Sequence, residues 1–90
     1  MRIAKPLTVI NKLGLHARAA ALLVKQCAGF ESEITLSSGA RAVNAKSIMG
    51  VMMLAAAQGA RLELVVDGAD AEQAATAVTA LFENFFGEGE

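Results

Sequence analysis

Regular alternation of apolar and polar residues is the feature that most constrains the fold of this chain. In the segment from Arg61 to Val66, the residues Leu62, Leu64 and Val66 share one side, which is typical of a strand with one buried face. We predict that this strand pairs centrally in a sheet. Three further strands are predicted at 2–10, 31–36 and 40–43. Pro6 cannot donate to a β-ladder, so the first strand should lie at a sheet edge or begin near Pro6.

Apolar residues spaced three and four apart predict helices between these strands. The first helix covers 17–28, and its apolar stripe consists of Ala20, Leu23, Val24 and Cys27. The second helix has Ser47 as its N-cap and runs from Ile48 to Leu54 or somewhat beyond, with Gly59 marking its end.

A third helix is predicted near the end of the chain. Asp70 and Gln73 have the spacing of a capping box at its start. Its apolar face consists of Ala74, Val78, Leu81, Phe82 and Phe85. The residues from Glu88 to Glu90 are expected to form a frayed polar end.

The predicted order is strand, helix, strand, strand, helix, strand, helix (βαββαβα). Since each strand has one apolar face and each helix one apolar stripe, the simplest arrangement is a four-stranded antiparallel sheet covered on one face by three helices. This is an open-faced α+β sandwich. The 90 residues should form a single domain, 1–90. The pattern alone also admits a ferredoxin-like domain.

Composition argues against several classes of function. The net charge is −1 and the chain has no Trp or Tyr, so nothing indicates nucleic-acid binding. The longest aliphatic run, Val51 to Ala57, is too short for a membrane span, and the first residues lack the apolar segment of a signal peptide. Cys27 is the only cysteine, which favours a core residue in a cytoplasmic protein. One histidine and one cysteine make no metal site, so neither metal nor cofactor is expected.

The only histidine, His16, directly precedes the first predicted helix. At or next to the N-cap it would stand beside free backbone N–H groups, including those of Ala17 and Arg18, which can bind an anion. An imidazole there can act as a nucleophile toward a phosphoryl group, with the Arg18 guanidinium also available to the oxygens. The alternative is an exposed histidine with no role.

Two motifs together resemble a known family. The sequence GLHARAA around His16, followed by NAKSIMGVMML around Ser47, is similar to the HPr phosphocarriers of the bacterial phosphotransferase system, either HPr itself or its nitrogen-branch paralogue NPr. The resemblance covers the whole chain and implies the same sandwich fold. It further implies that His16 accepts phosphate, on Nδ1, from enzyme I and passes it to an EIIA protein. Ser47 would be the regulatory site of an HPr serine kinase/phosphorylase.

The chain departs from the family pattern at two positions. Ala19 stands where many members have proline, which should leave the helix intact and add one N–H donor. Leu13 stands where sugar-branch members often have a small or polar residue, and this leaves both the sugar and the nitrogen branch open.

The resemblance also implies a docking patch around the histidine for transient contacts of a monomer with its partners. It consists of Ala17, Ala21, Lys25, Ile48, Met49 and Met52, beside Arg18. Methionine suits such a patch because its side chain is flexible and polarisable. Since methionines at helical spacing are usually buried, we expect at least one of Met49, Met52 and Met53 in the core.

No phosphate-binding loop and no carboxylate cluster for Mg²⁺ occurs in the sequence, so the chain should carry phosphate rather than draw it from a nucleotide. The unperturbed pKa of histidine is near 6.5, so a histidine side chain is in general mostly neutral and nucleophilic at cytoplasmic pH. The rival interpretation is a regulatory or ligand-binding α+β module without covalent chemistry. The presence of His16 within its full motif favours the carrier.

Overall fold

The computed structural model describes all 90 residues and has the predicted element order. The strands are β1 (Arg2–Thr8), β2 (Glu33–Ser38), β3 (Arg41–Asn44) and β4 (Arg61–Asp67), and the helices are α1 (Ala17–Ala28), α2 (Ile48–Met53) and α3 (Ala71–Glu83). A short 3₁₀ turn, Phe85–Gly87, follows α3. The predicted open-faced sandwich, with four antiparallel strands and three helices, is confirmed.

The four strands form one sheet in the order β1-β4-β2-β3, with every neighbouring pair antiparallel. β4 lies between β1 and β2, so the prediction that it pairs centrally is confirmed. β1 is an edge strand in which Pro6 lies opposite Glu63, and the missing N–H of proline costs no ladder bond on the open side.

The core lies between the apolar face of the sheet and the helices. β4 buries Leu62, Leu64 and Val66, as predicted. α1 buries Leu23 and Cys27. Burial raises the pKa of the Cys27 thiol to about 11, which fits the predicted core residue rather than a reactive thiolate.

Two helix ends differ from the prediction. α2 ends at Met53, one residue before the predicted Leu54 and well before Gly59, because the chain turns at Ala55, which has a φ of 49°. α3 ends at Glu83, and Phe86 rather than Phe85 is buried beyond it. Positive φ values of 56° at Phe85 and 52° at Phe86 turn the chain back. The ring centroids of Phe86 and Phe82 therefore lie 4.9 Å apart.

The predicted capping box at the start of α3 is wrong. Asp70 is the N-cap residue, but its carboxylate makes no cap bond. It instead accepts hydrogen bonds from the backbone N–H groups of Glu31 and Ser32, at 2.8 and 2.9 Å, and from the Ser32 hydroxyl. These bonds lower the pKa of Asp70, and the hydrogen bond from the Ser32 hydroxyl is the largest cause. They fasten the loop before β2 to the start of α3.

Replacing Asp70 with Asn should therefore lower the free energy of unfolding at neutral pH. It should also make that free energy depend less steeply on pH in the acidic range. The folded-state pKa of Asp70 lies below the usual 3.8, so its contribution is complete above that value and is lost as the pH falls through the folded pKa. Chemical denaturation of wild type and Asp70→Asn between pH 7 and pH 2 measures this. The exposed Glu72, which makes no side-chain hydrogen bond, provides the control Glu72→Gln. Equal acid slopes for wild type and Asp70→Asn would contradict the prediction.

Candidate functional site

A tight turn between β1 and α1 brings the histidine to the helix. Gly14 has a φ of +67°, and a Cβ at this position would lie 2.5 Å from the carbonyl oxygen of Ala56. The next residue, Leu15, is buried and donates its backbone N–H to that same oxygen at 2.9 Å. The turn is thus pressed against the segment after α2, and only glycine fits at its closest point.

His16 is the N-cap of α1, as predicted. Its backbone is extended (φ −72°, ψ 178°), and its carbonyl oxygen accepts the N–H of Ala20 at 2.8 Å. The imidazole makes no cap bond and is 29% exposed. Ala17 and Arg18 are exposed residues. Their backbone N–H groups have no acceptor within the protein, so they can bind an anion at the positive end of the helix dipole.

The end of the chain folds back onto the histidine, so the prediction of a frayed polar tail is wrong. The Nε2 atom of His16 is hydrogen-bonded to the Glu88 carboxylate, whose side chain is only 7% exposed. The other carboxylate oxygen accepts from Asn11 Nδ2 at 2.9 Å. The buried Phe86 anchors the segment and carries Glu88 to this position.

The pKa of Glu88 is lowered by these contacts. The Asn11 hydrogen bond is the largest cause, and the hydrogen bond and charge of His16 and the charge of Arg18 act in the same direction against the effect of burial. Glu88 therefore stays ionised beside the imidazole at neutral pH. Sequence reasoning missed Glu88 and Asn11, and the only signal for them was a large apolar residue, Phe86, beyond the predicted helix.

An open cleft of about 290 Å³ lies at this end of α1. It is lined by Lys12, Leu13, His16, Arg18, Glu88 and Glu90. The two cations of this set, Lys12 and Arg18, can both attract an anionic group toward the histidine. Arg18 thus lines the same cleft as His16, and Lys12 is a further cation there.

Ser47 caps α2, as predicted. Its Oγ accepts the backbone N–H of Gly50 at 3.1 Å, and its side chain is half-buried. The prediction that one of the nearby methionines is buried is wrong. The exposed fractions are 75% for Met49, 44% for Met52 and 58% for Met53, because Val51 and Leu54 occupy the inward positions instead.

The remaining members of the predicted patch are also accessible. Ile48 is 45% exposed, and Ala17, Ala21 and Lys25 are exposed on α1. α1 and α2 pack against each other. No group of three potential metal ligands is close enough to hold a metal ion, and none of the helices has the length and apolar character needed to cross a membrane.

Comparison with known proteins identifies the family. The family model for the "PTS HPr component phosphorylation site" matches residues 3–84. The phosphocarrier protein HPr of Xylella fastidiosa (strain Temecula1) is 57% identical over 82 residues, covering 91% of this chain and 92% of the relative. That of Cupriavidus necator is 54% identical, covering 92% and 93%. A crystal structure of HPr-C-His from Thermoanaerobacter tengcongensis superposes with a TM-score of 0.92 at 43% identity, covering 96% and 97%.

The chain therefore belongs to the HPr family of the phosphotransferase system. It is a phosphocarrier, and this function is favoured over the regulatory or ligand-binding module that the sequence left open. Its partners belong to the same phosphotransferase system.

Replacing Gly14 with Ala should destabilise the protein by at least about 2 kcal/mol, because overpacking a close contact adds about 1–3 kcal/mol to the strain of a positive φ. Gly39→Ala is the matched control, since Gly39 has a φ of +60° with nothing within 4 Å of a Cβ, and should cost about 1 kcal/mol. Urea denaturation measures both. Equal losses would mean that the approach to Ala56 is not constraining.

Proposed function

We propose that His16 accepts a phosphoryl group, derived from phosphoenolpyruvate, from enzyme I and passes it to EIIA-type acceptors. The observation that carries the proposal is the position of the imidazole, which is partly exposed at the N-cap of α1 beside two unpaired backbone N–H groups. A ring nitrogen attacks phosphorus while the donor's bond to phosphorus breaks. In the second transfer, the acceptor attacks phosphorus while the bond between phosphorus and the ring nitrogen breaks.

Arg18 is proposed to position the phosphoryl oxygens together with the N–H groups of Ala17 and Arg18. Its guanidinium belongs to the cleft that contains His16, and guanidinium groups bind phosphate with two parallel hydrogen bonds. The positive end of the α1 dipole adds to the same field. No separate cofactor enters this proposed reaction.

The docking patch proposed for enzyme I and EIIA consists of Ala17, Ala21, Lys25, Ile48, Met49 and Met52. The apolar exposure of α2 supports this assignment, since Met49 is 75% exposed and Ile48 45%. Flexible methionines can repack against different partners. The proposed carrier acts as a monomer in the cytoplasm, and the single free cysteine, Cys27, which has no partner for an internal disulfide, fits this compartment.

Ser47 is proposed as the site of regulatory phosphorylation by an HPr serine kinase/phosphorylase. The hydroxyl is half-buried at the start of α2 and adjoins Ile48 and Met49 of the patch. A phosphate at a helix N-terminus is tolerated by the helix. It would place about two negative charges where a partner must dock.

Mutation of His16 tests the proposed function. His16→Ala should abolish phosphorylation by phosphoenolpyruvate and a cognate enzyme I, while the fold persists because the side chain makes no cap bond. Intact mass before and after acid treatment is the measurement, since phosphohistidine is acid-labile and phosphoserine is not. Circular dichroism verifies folding of the variant. An acid-labile phosphate retained in His16→Ala would overturn the proposal.

Ser47→Asp should keep or modestly raise the melting temperature while slowing phosphoryl transfer to His16. Asp is as good an N-cap as Ser and has a favourable interaction with the helix dipole. The new charge must be desolvated when enzyme I binds. Calorimetry and association kinetics at low and physiological salt measure the two effects.

A charge control for this experiment is Thr76→Asp, because Thr76 is exposed on α3. It should leave association with enzyme I unchanged. Equal association and transfer rates in wild type and Ser47→Asp would leave Ser47 with its capping role alone.

A further inference from the structure

A buried asparagine orients the carboxylate that contacts the histidine. Nδ2 of Asn11 donates to the carbonyl oxygen of Gly14 at 2.8 Å and to Oε1 of Glu88 at 2.9 Å. Both partners are acceptors only, so the amide cannot be reversed without pointing its oxygen at two other oxygens. Because Asn11 is 0% exposed, its side chain is fixed, and its hydrogen bond holds the Glu88 side chain in one place.

The second oxygen of the same carboxylate, Oε2, contacts Nε2 of His16. An ionised carboxylate can only accept a hydrogen bond, so the shared proton belongs to Nε2. In a neutral imidazole the lone pair then lies on Nδ1. That nitrogen makes no hydrogen bond within the protein.

We propose that Glu88 is a positioning residue for phosphoryl transfer, which selects the Nε2–H tautomer of His16 and so presents Nδ1 as the nucleophile. The inference rests on the proposed function of His16. As the Nδ1–phosphorus bond forms and the donor's bond breaks, the proton stays on Nε2 and the ring becomes positively charged. The Glu88 carboxylate stabilises that charge, in the way that a buried carboxylate supports a catalytic histidine.

The position of Glu88 fits this role electrostatically. Its carboxylate contacts Nε2, on the opposite side of the ring from Nδ1, so it is kept away from the incoming phosphoryl oxygens. Lys12 and Arg18 of the same cleft offset the negative charge. Glu88 lies beyond residues 3–84, which the family model matches, and is delivered by the buried Phe86.

Replacing Glu88 with Gln tests the tautomer directly. Asn11 Nδ2 can only donate, so the introduced amide must turn its oxygen to Asn11 and its NH₂ group to Nε2 of His16. Nε2 then becomes an acceptor and the ring proton moves to Nδ1. We expect Nε2 to take the ¹⁵N chemical shift of an unprotonated ring nitrogen and Nδ1 that of a protonated one. The rate of phosphorylation by enzyme I should fall by about tenfold to a hundredfold.

Glu90→Gln is the matched control. Glu90 lines the same cleft, but its side chain makes no hydrogen bond, so this variant removes the same charge without touching Nε2. It should leave the ring nitrogen shifts unchanged. Its phosphorylation rate gives the effect of the cleft charge alone, which should be much smaller than the loss in Glu88→Gln because exposed charges contribute little. Thermal denaturation of both variants establishes that they are folded.

Two outcomes would overturn the inference. One is an unchanged Nε2–H tautomer with an unchanged rate in Glu88→Gln. The other is an equal loss of rate in Glu88→Gln and Glu90→Gln, which would assign the effect to cleft charge. Failure of the proposed function is distinguishable, because wild type would then carry no phosphate on His16 after incubation with phosphoenolpyruvate and enzyme I. The ring nitrogen shifts report on Glu88 in either case.

Discussion

The hydrogen bonds of the buried Asn11 amide are the interactions on which the arrangement of the site depends. They join the turn that presents His16 to the carboxylate that contacts it. Asn11 Oδ1 is buried without a partner, which costs about 1–3 kcal/mol for a neutral group. The opposite orientation would be worse, because it would point Oδ1 at the Gly14 carbonyl and at a charged carboxylate. The unsatisfied oxygen is therefore the consequence of two bonds that hold the site, one of them to an ion.

The strands, the edge position of β1 and the central position of β4 could be predicted, because period-two patterns are local and their consequences are simple. A strand containing Pro6 belongs at an edge, and β4, with its strong alternation, lies in the centre. The misplaced helix ends occur where non-glycine residues adopt positive φ, at Ala55, Phe85 and Phe86, since no residue type there signals a turn. The capping box failed for a different reason. A loop distant in sequence supplied three donors to Asp70 that the start of α3 could not match.

The same distinction separates the predicted and the missed parts of the site. His16 and Ser47 are helix caps, set by a few neighbouring residues, and both lie at the helix starts that the sequence indicated. The partner of His16 is Glu88, which is 72 positions away. The chain reverses where Phe86 packs against Phe82, and this brings Glu88 to the histidine. Tertiary packing of this kind leaves no periodic signal, so a carboxylate that lies against the histidine was predicted to be frayed.

Rigid and adaptable surfaces are divided between the two helices of the site. The histidine is fixed by backbone contacts, through Gly14 against Ala56 and through the N-cap of α1. α2 is only six residues long, too short to be stable alone, and is held by its Ser47 cap and by the burial of Val51. Its outer side is left to flexible methionines. Phosphoryl transfer requires the reacting nitrogen to be placed within fractions of an ångström, whereas successive partners require a surface that repacks and releases. A chain that must satisfy both needs gains from keeping the nucleophile on constrained backbone and the contact area on mobile side chains.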